Sequence, residues 1–185
     1  KKKKKKKKKN IFYGKKSKEE FKKHLMKAAR AIIFWTVPIT FLFIVLRAQI
    51  VRVVLGTNTF SWENTRLVAA GLALFSLSIM AQSMIALFSR TYYASGNTKK
   101  PLYINITCSI LIVIFSYTLI HVFQNFPYFR YFIESLLRVS DIKGTTVLML
   151  PLAYSLGTIL NFVLHWISVR KHFMHSESFI SKAFF

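Results

Sequence analysis

Two groups of side chains have types and spacings that could do chemistry. The first lies between residues 90 and 101, where Arg90, Lys99 and Lys100 bracket the turn-forming run Tyr93-Ala-Ser-Gly-Asn97-Thr98 before Pro101. Cations on both sides of a short polar turn could meet an anionic headgroup at a membrane surface. The plainer reading is a basic hairpin that fixes the orientation of the chain. The second group is Tyr154, Thr158, Asn161 and His165, spaced i, i+4, i+7 and i+11 so that they form a stripe down one helix face. Such a stripe could wall a wet cavity, with His165 able to titrate, or could hydrogen-bond a neighbouring helix.

Both groups sit among long apolar runs. The chain has 185 residues, 53% hydrophobic and 16% aromatic, with 28 Lys and Arg against 6 Asp and Glu. The charges cluster and leave apolar runs of about 20 residues, enough to cross a ~30 Å hydrocarbon core. An integral membrane protein of the all-α class is expected, a polytopic bundle of about four spans. Of the net charge of +22, nine units come from the lysines at 1–9, and subtracting them leaves +13. That homopolymer predicts a disordered basic tail over 1–15, because lysine alone buries nothing. The other cations fall at span ends instead of along one face, so a nucleic-acid partner is not expected. The single cysteine, Cys108, excludes an internal disulfide. Acidic pairs and clustered metal ligands are absent from the pattern, so neither catalysis, nor a metal, nor a cofactor is expected.

The elements that must position these residues follow in order. Ser17 and Glu20 have capping-box spacing, which predicts a lead-in helix over 16–27. A first span follows at about 28–46, kinked by Pro38. Arg47 and Arg52 mark an amphipathic segment at the far interface, and Gly56-Thr-Asn-Thr is a turn. The second span covers about 65–88, with Asn64 as its N-cap and small residues such as Ala69 and Ala73 allowing close helix approach. A third span at about 101–123 begins at Pro101 and carries Asn105, Ser109 and Ser116 near one face. The loop at 124–143 holds a short interfacial helix near 128–137. The fourth span, about 145–169, is kinked by Pro151, and Arg170 and Lys171 end it; a tail occupies 173–185. Cations at the N-terminal segment, the 90–101 loop and the 170–171 end alternate correctly for both termini to be cytoplasmic.

The central stretch also resembles a known family. Tyr92-Tyr93-Ala94-Ser95-Gly96-Asn97-Thr98-Lys99-Lys100-Pro101 is similar to the Phe-Tyr-Ala-x-x-Asp-Thr-x-Thr-Pro signature of the lipid II flippases (MurJ, also called MviN). These belong to the superfamily of multidrug and lipid-linked oligosaccharide exporters. Val54-Leu55-Gly56 through Phe60, Asn64-Thr65, and Leu152-Ala153-Tyr154-Ser155 with Asn161 look like further parts of the same pattern. The resemblance covers about 16–172 and corresponds to the last four helices of the second lobe of a two-lobed fold, without the first lobe. Asn64 and Asn97 stand where the family has aspartate, and Lys100 stands where it has threonine. Ser116 lies roughly where sodium-using relatives place a polar or acidic ligand, and it is not acidic.

The resemblance implies a transporter of the bacterial inner membrane, not an enzyme. Such a protein moves a lipid-linked peptidoglycan precursor from the cytoplasmic to the outer leaflet by alternating access. Its partners would be membrane lipids, the lipid-linked oligosaccharide and the first lobe of the same protein. Arg90, Tyr93, Asn97, Thr98, Lys99, Lys100 and Pro101 would then form a gate or substrate path, and Tyr154, Thr158, Asn161 and His165 would face the cavity. The competing expectations are export of another polyprenyl-linked oligosaccharide or a drug, or a truncated module that only scaffolds the membrane.

Overall fold

The computed structural model describes residues 2–56 and 61–173, with side chains over 19–56 and 61–171. The elements are α1 (Lys2–Val45), α2 (Arg47–Leu55), α3 (Trp62–Ser76), α4 (Ile79–Ala94), α5 (Lys99–Asn125), α6 (Pro127–Leu137), a 3-10 turn (Thr145–Leu148) and α7 (Met149–Phe173). Among the described residues there is no strand. Four segments are long and apolar enough to cross a membrane: Glu19–Val45, Trp62–Ala94, Lys99–Asn125 and Thr145–Lys171. Residues 57–60 of the expected turn and residues 174–185 of the expected tail lie outside the described residues.

Several local expectations are revised. Ser17 lies inside α1, which is continuous from Lys2 through the first span, so no helix starts there. The N-cap of α3 is Ser61, not Asn64: Ser61 has extended backbone, and its Oγ accepts the Asn64 N–H at 3.2 Å. Asn64 is the third helical residue, where its own side chain has no capping role. Pro151 falls in the first turn of α7, directly after the 3-10 turn, where a missing N–H is tolerated.

The sequence reading also misses a break. The second span is two helices, α3 and α4, joined at Leu77-Ser78. Ser76, Ser78 and Ser83 return their hydroxyls to Leu72, Phe75 and Ile79 carbonyls at 2.7, 2.7 and 2.9 Å. This back-bonding competes with the helical ladder and favours bends. The side chain of Gln82 closes the joint by donating to Ser78 Oγ at 2.7 Å.

The fourth span, with α7, is the centre of the bundle. It packs most extensively on α5 and also touches α4 and α3, while α1 leans on α4 and α3. Two apolar cores lie at opposite ends. One joins Leu25 and Ala29 of α1, Met84, Phe88 and Tyr92 of α4, and Val169 of α7. Phe88 stacks on Phe162 there, with ring centroids 6.1 Å apart. The other joins Ala70 and Leu74 of α3, Phe123 of α5, Ile133 and Leu137 of α6, and Val139, Ile142, Leu148 and Met149. Between them α5 and α7 meet closely at Gly157, where a Cβ would stand 2.2 Å from Ile112 Cγ1.

Candidate functional site

The 90–101 interval is a helix-to-helix joint built almost entirely from backbone bonds. Helix α4 stops because Gly96 takes the left-handed conformation (φ 76°). Asn97 N–H then reaches back to the Tyr92 carbonyl at 3.0 Å, and Gly96 N–H to the Tyr93 carbonyl at 3.0 Å. This pair is the Schellman pattern, which satisfies carbonyls that the end of a helix leaves free. The Ser95 hydroxyl adds a bond to the Tyr92 carbonyl at 2.8 Å. On the other side, Asn97 Oδ1 accepts from Lys100 N–H at 3.4 Å as α5 begins at Lys99. Pro101 is buried in the first turn of α5.

Around this joint the charges face outward. Arg90, Tyr93, Thr98, Lys99 and Lys100 are exposed, and Asn97 is half-buried. The anchor is Tyr92, which is fully buried, its hydroxyl 2.5 Å from Ser168 Oγ of α7. That contact ties the joint to the end of α7, one turn from Arg170 and Lys171. Five basic positions, Arg90 of α4, Lys99 and Lys100 of α5, and Arg170 and Lys171 of α7, therefore share one end of the bundle. Sequence reasoning singles out Tyr93 and misses Tyr92; adjacent tyrosines in a helix give no signal as to which one faces inward.

The polar stripe of α7 divides into parts with different surroundings. Tyr154 is partly exposed and sets its ring edge-on to Phe75 of α3, with centroids 5.5 Å apart. Thr158 is buried and returns its hydroxyl to the Tyr154 carbonyl at 2.8 Å. Asn161 and His165 form a connected network with Asn105 of α5. Asn161 Nδ2 donates to Asn105 Oδ1 at 3.0 Å. His165 Nδ1 lies 2.8 Å from Asn161 Oδ1 and 3.1 Å from the Asn161 carbonyl oxygen. Both neighbours are acceptors, so Nδ1 carries the proton and the ring leaves its lone pair on Nε2. That nitrogen is buried and has no hydrogen-bond partner. The network is a directed chain, His165 to Asn161 to Asn105, crossing the α5–α7 seam.

The opposite end carries a second polar group that the sequence reading does not single out. Glu134 of α6 is buried, and its Oε1 accepts from Thr145 Oγ1 at 2.6 Å and from Arg130 Nε at 3.0 Å. Arg66 of α3 grips Asp141 with both guanidinium nitrogens at 2.6 and 2.8 Å and also donates to the Arg138 carbonyl. The guanidinium bonded to it holds the Asp141 carboxyl below its ordinary range, helped by a bond to its own backbone.

These features place a cationic joint at one end of a four-span bundle and a tied-down loop at the other. The sequence profile described as Lipid II flippase MurJ matches residues 11–185. The chain belongs to that family. Comparisons with curated proteins and with solved structures give no match. MurJ proteins are flippases, not enzymes, and the four candidate spans suit a membrane transporter. Within the matched stretch Asn97 serves both helices of the joint: its amide oxygen accepts at the start of α5 and its backbone N–H closes α4.

Proposed function

We propose that the chain supplies four spans of the second lobe of a lipid II flippase of the bacterial inner membrane. It would act with a first lobe of the same protein to move the lipid-linked precursor from the cytoplasmic to the outer leaflet by alternating access. The observation that carries this reading is the cationic joint. Arg90, Lys99 and Lys100 flank a joint fixed at one end of the bundle by a buried tyrosine clamp and a closed Schellman turn. A diphosphate headgroup bound there would meet preset charge on a rigid support. In this reading the joint and the 170–171 end face the cytoplasm, the side that the distribution of Lys and Arg favours. The Asn105–Asn161–His165 chain is proposed as the fastening between the third and fourth spans.

The test is complementation of flippase-depleted cells with the full-length gene carrying Arg90→Gln, Lys99→Gln and Lys100→Gln together. Reduced growth with unchanged membrane insertion and topology is expected. Unchanged transport would leave the joint with an orienting role alone. Failure of the parent gene to complement despite correct insertion would favour the scaffold reading over the transporter.

A further inference from the structure

An apolar groove of about 700 Å³ opens on the bundle at the end opposite the cationic joint. Its walls come from α2, α3 and the start of α7, with Val51, Val54, Val68, Phe75 and Leu150 among the lining residues. Gly71 forms part of the floor. A Cβ there would lie 4.0 Å from both Leu148 Cδ2 and Pro151 Cγ, an ordinary contact, so the absent side chain leaves the floor flush and the slot open. Along α3 the lining runs from Leu67 to Phe75, about 12 Å at 1.5 Å per residue. That is close to the ~15 Å depth of one leaflet's hydrocarbon. Val54, Phe75 and Leu150 are also exposed, so the slot opens sideways, toward the bilayer.

The mouth of the slot is basic. Arg52, between the lining residues Val51 and Val54, holds its guanidinium 5.3 Å over the ring of Trp62. Among the described residues it makes no ion pair, whereas Arg66 and Arg130 are matched with carboxylates. An exposed Trp beside an Arg is the chemistry of a lipid headgroup boundary, and a phosphate is the anion that position can take.

We infer that this groove binds one acyl chain of an anionic phospholipid, with the lipid phosphate at Arg52. The mouth, with Arg52 over Trp62, favours a lipid that carries a phosphate over a purely apolar helix face. The inference rests only on the chain spanning a bilayer and does not depend on what it transports.

The test uses the full-length protein in nanodiscs of mixed phosphatidylglycerol and phosphatidylcholine, with native mass spectrometry of retained lipids. Wild type and Gly71→Ala are expected to retain a phosphatidylglycerol that Gly71→Phe, which fills the slot, loses. Arg52→Gln is expected to keep a retained lipid but reduce the preference for phosphatidylglycerol about fivefold, the effect of one basic residue at an anionic surface. Retention unchanged in Gly71→Phe overturns the inference. Should that variant fail to fold, a photo-reactive residue at Val68 decides the matter: a phospholipid adduct supports the site, while a cross-link to another segment of the protein or to a polyprenyl lipid overturns it.

Discussion

The Ser155 hydroxyl of α7 donates to the Leu74 carbonyl of α3 at 2.6 Å, in a buried position beside the break in the second span. Where α3 stops and α4 restarts, the helical ladder no longer serves every carbonyl, and a neighbouring helix provides the partner. Broken helices are tolerated at membrane depth when side chains from adjacent helices satisfy the freed backbone groups. Ser155→Ala is therefore expected to destabilise the bundle by about 1–3 kcal/mol, the cost of a buried acceptor left unsatisfied. Unfolding in detergent is the measurement. Ser109→Ala serves as the control, because that exposed hydroxyl bonds only the Asn105 carbonyl of its own helix; a change within about 0.5 kcal/mol is expected there.

Two glycines in spans should respond differently to the same substitution. Gly157→Ala places a methyl 2.2 Å from Ile112 Cγ1, and the β-branched Ile112 has little rotamer freedom to yield. Overpacking of this kind costs about 1–3 kcal/mol. Gly71→Ala meets nothing nearer than 4.0 Å and is expected to be neutral or slightly stabilising. Equal losses at both sites would show that helix propensity, not the α5–α7 approach, governs the response.

The same turn closes α4 and α6 with opposite residue choices, which makes a reciprocal experiment available. Arg138 occupies the left-handed position after α6 (φ 59°), with Val139 N–H bonding the Glu134 carbonyl at 2.9 Å, as Asn97 does to Tyr92 after α4. A residue with a Cβ loses about 1 kcal/mol or more in that conformation relative to glycine. Gly96→Ala should thus lower stability by about that amount, and Arg138→Gly should raise it similarly. The bond from Arg66 survives the second change because it uses the Arg138 backbone carbonyl.

The four spans were legible in the sequence because hydropathy over some 20 residues is a strong, cumulative signal. The central turn was legible for a local reason: Gly96-Asn97 before Pro101 is a stop followed by a start. What the sequence concealed depends on single side chains competing for backbone. Ser76 and Ser78 read as small residues for close packing, and nothing in their spacing says that they break the helix. Ser61 and Asn64 are both good caps, and only the extended backbone at Ser61 decides between them. The α7 stripe has the right period for one face, yet the partners across that face differ: Phe75 for Tyr154 and Asn105 for Asn161. Helical spacing gives a direction, not a neighbour.

Acid should selectively loosen the end that carries Asp141. Its folded-state pKa lies below the ordinary 3.8 because Arg66 bonds the ionised form. A depressed carboxylate contributes stability above its unfolded pKa and loses it as pH falls through the lower, folded value. The contribution is thus intact from neutral pH down to about 5, and declines below about 4. Both partners are reachable by water and salt, so the effect is small. Thermal midpoints of wild type and Asp141→Asn, measured from pH 3 to 7, should differ at neutral pH and converge in acid. Parallel curves would remove the Arg66–Asp141 pair from the account.

Tyr92 and Tyr93 separate support from contact at the cationic joint. Tyr92 is fully buried and bonded to Ser168, whereas Tyr93 is half exposed. Tyr92→Phe keeps the ring and removes the bond, so a loss of about 1 kcal/mol is expected. Tyr92→Ala also empties a core position shared with Phe88 and Val169 and should cost about 3–5 kcal/mol, as large aromatic truncations do. Tyr93→Ala should leave stability within about 0.5 kcal/mol of wild type. If the joint meets a headgroup, Tyr93→Ala lowers complementation without lowering the unfolding midpoint, while the Tyr92 variants lower the midpoint first and transport only as the joint loosens. Measuring both quantities on the same three variants distinguishes a residue that touches substrate from one that holds the loop in place.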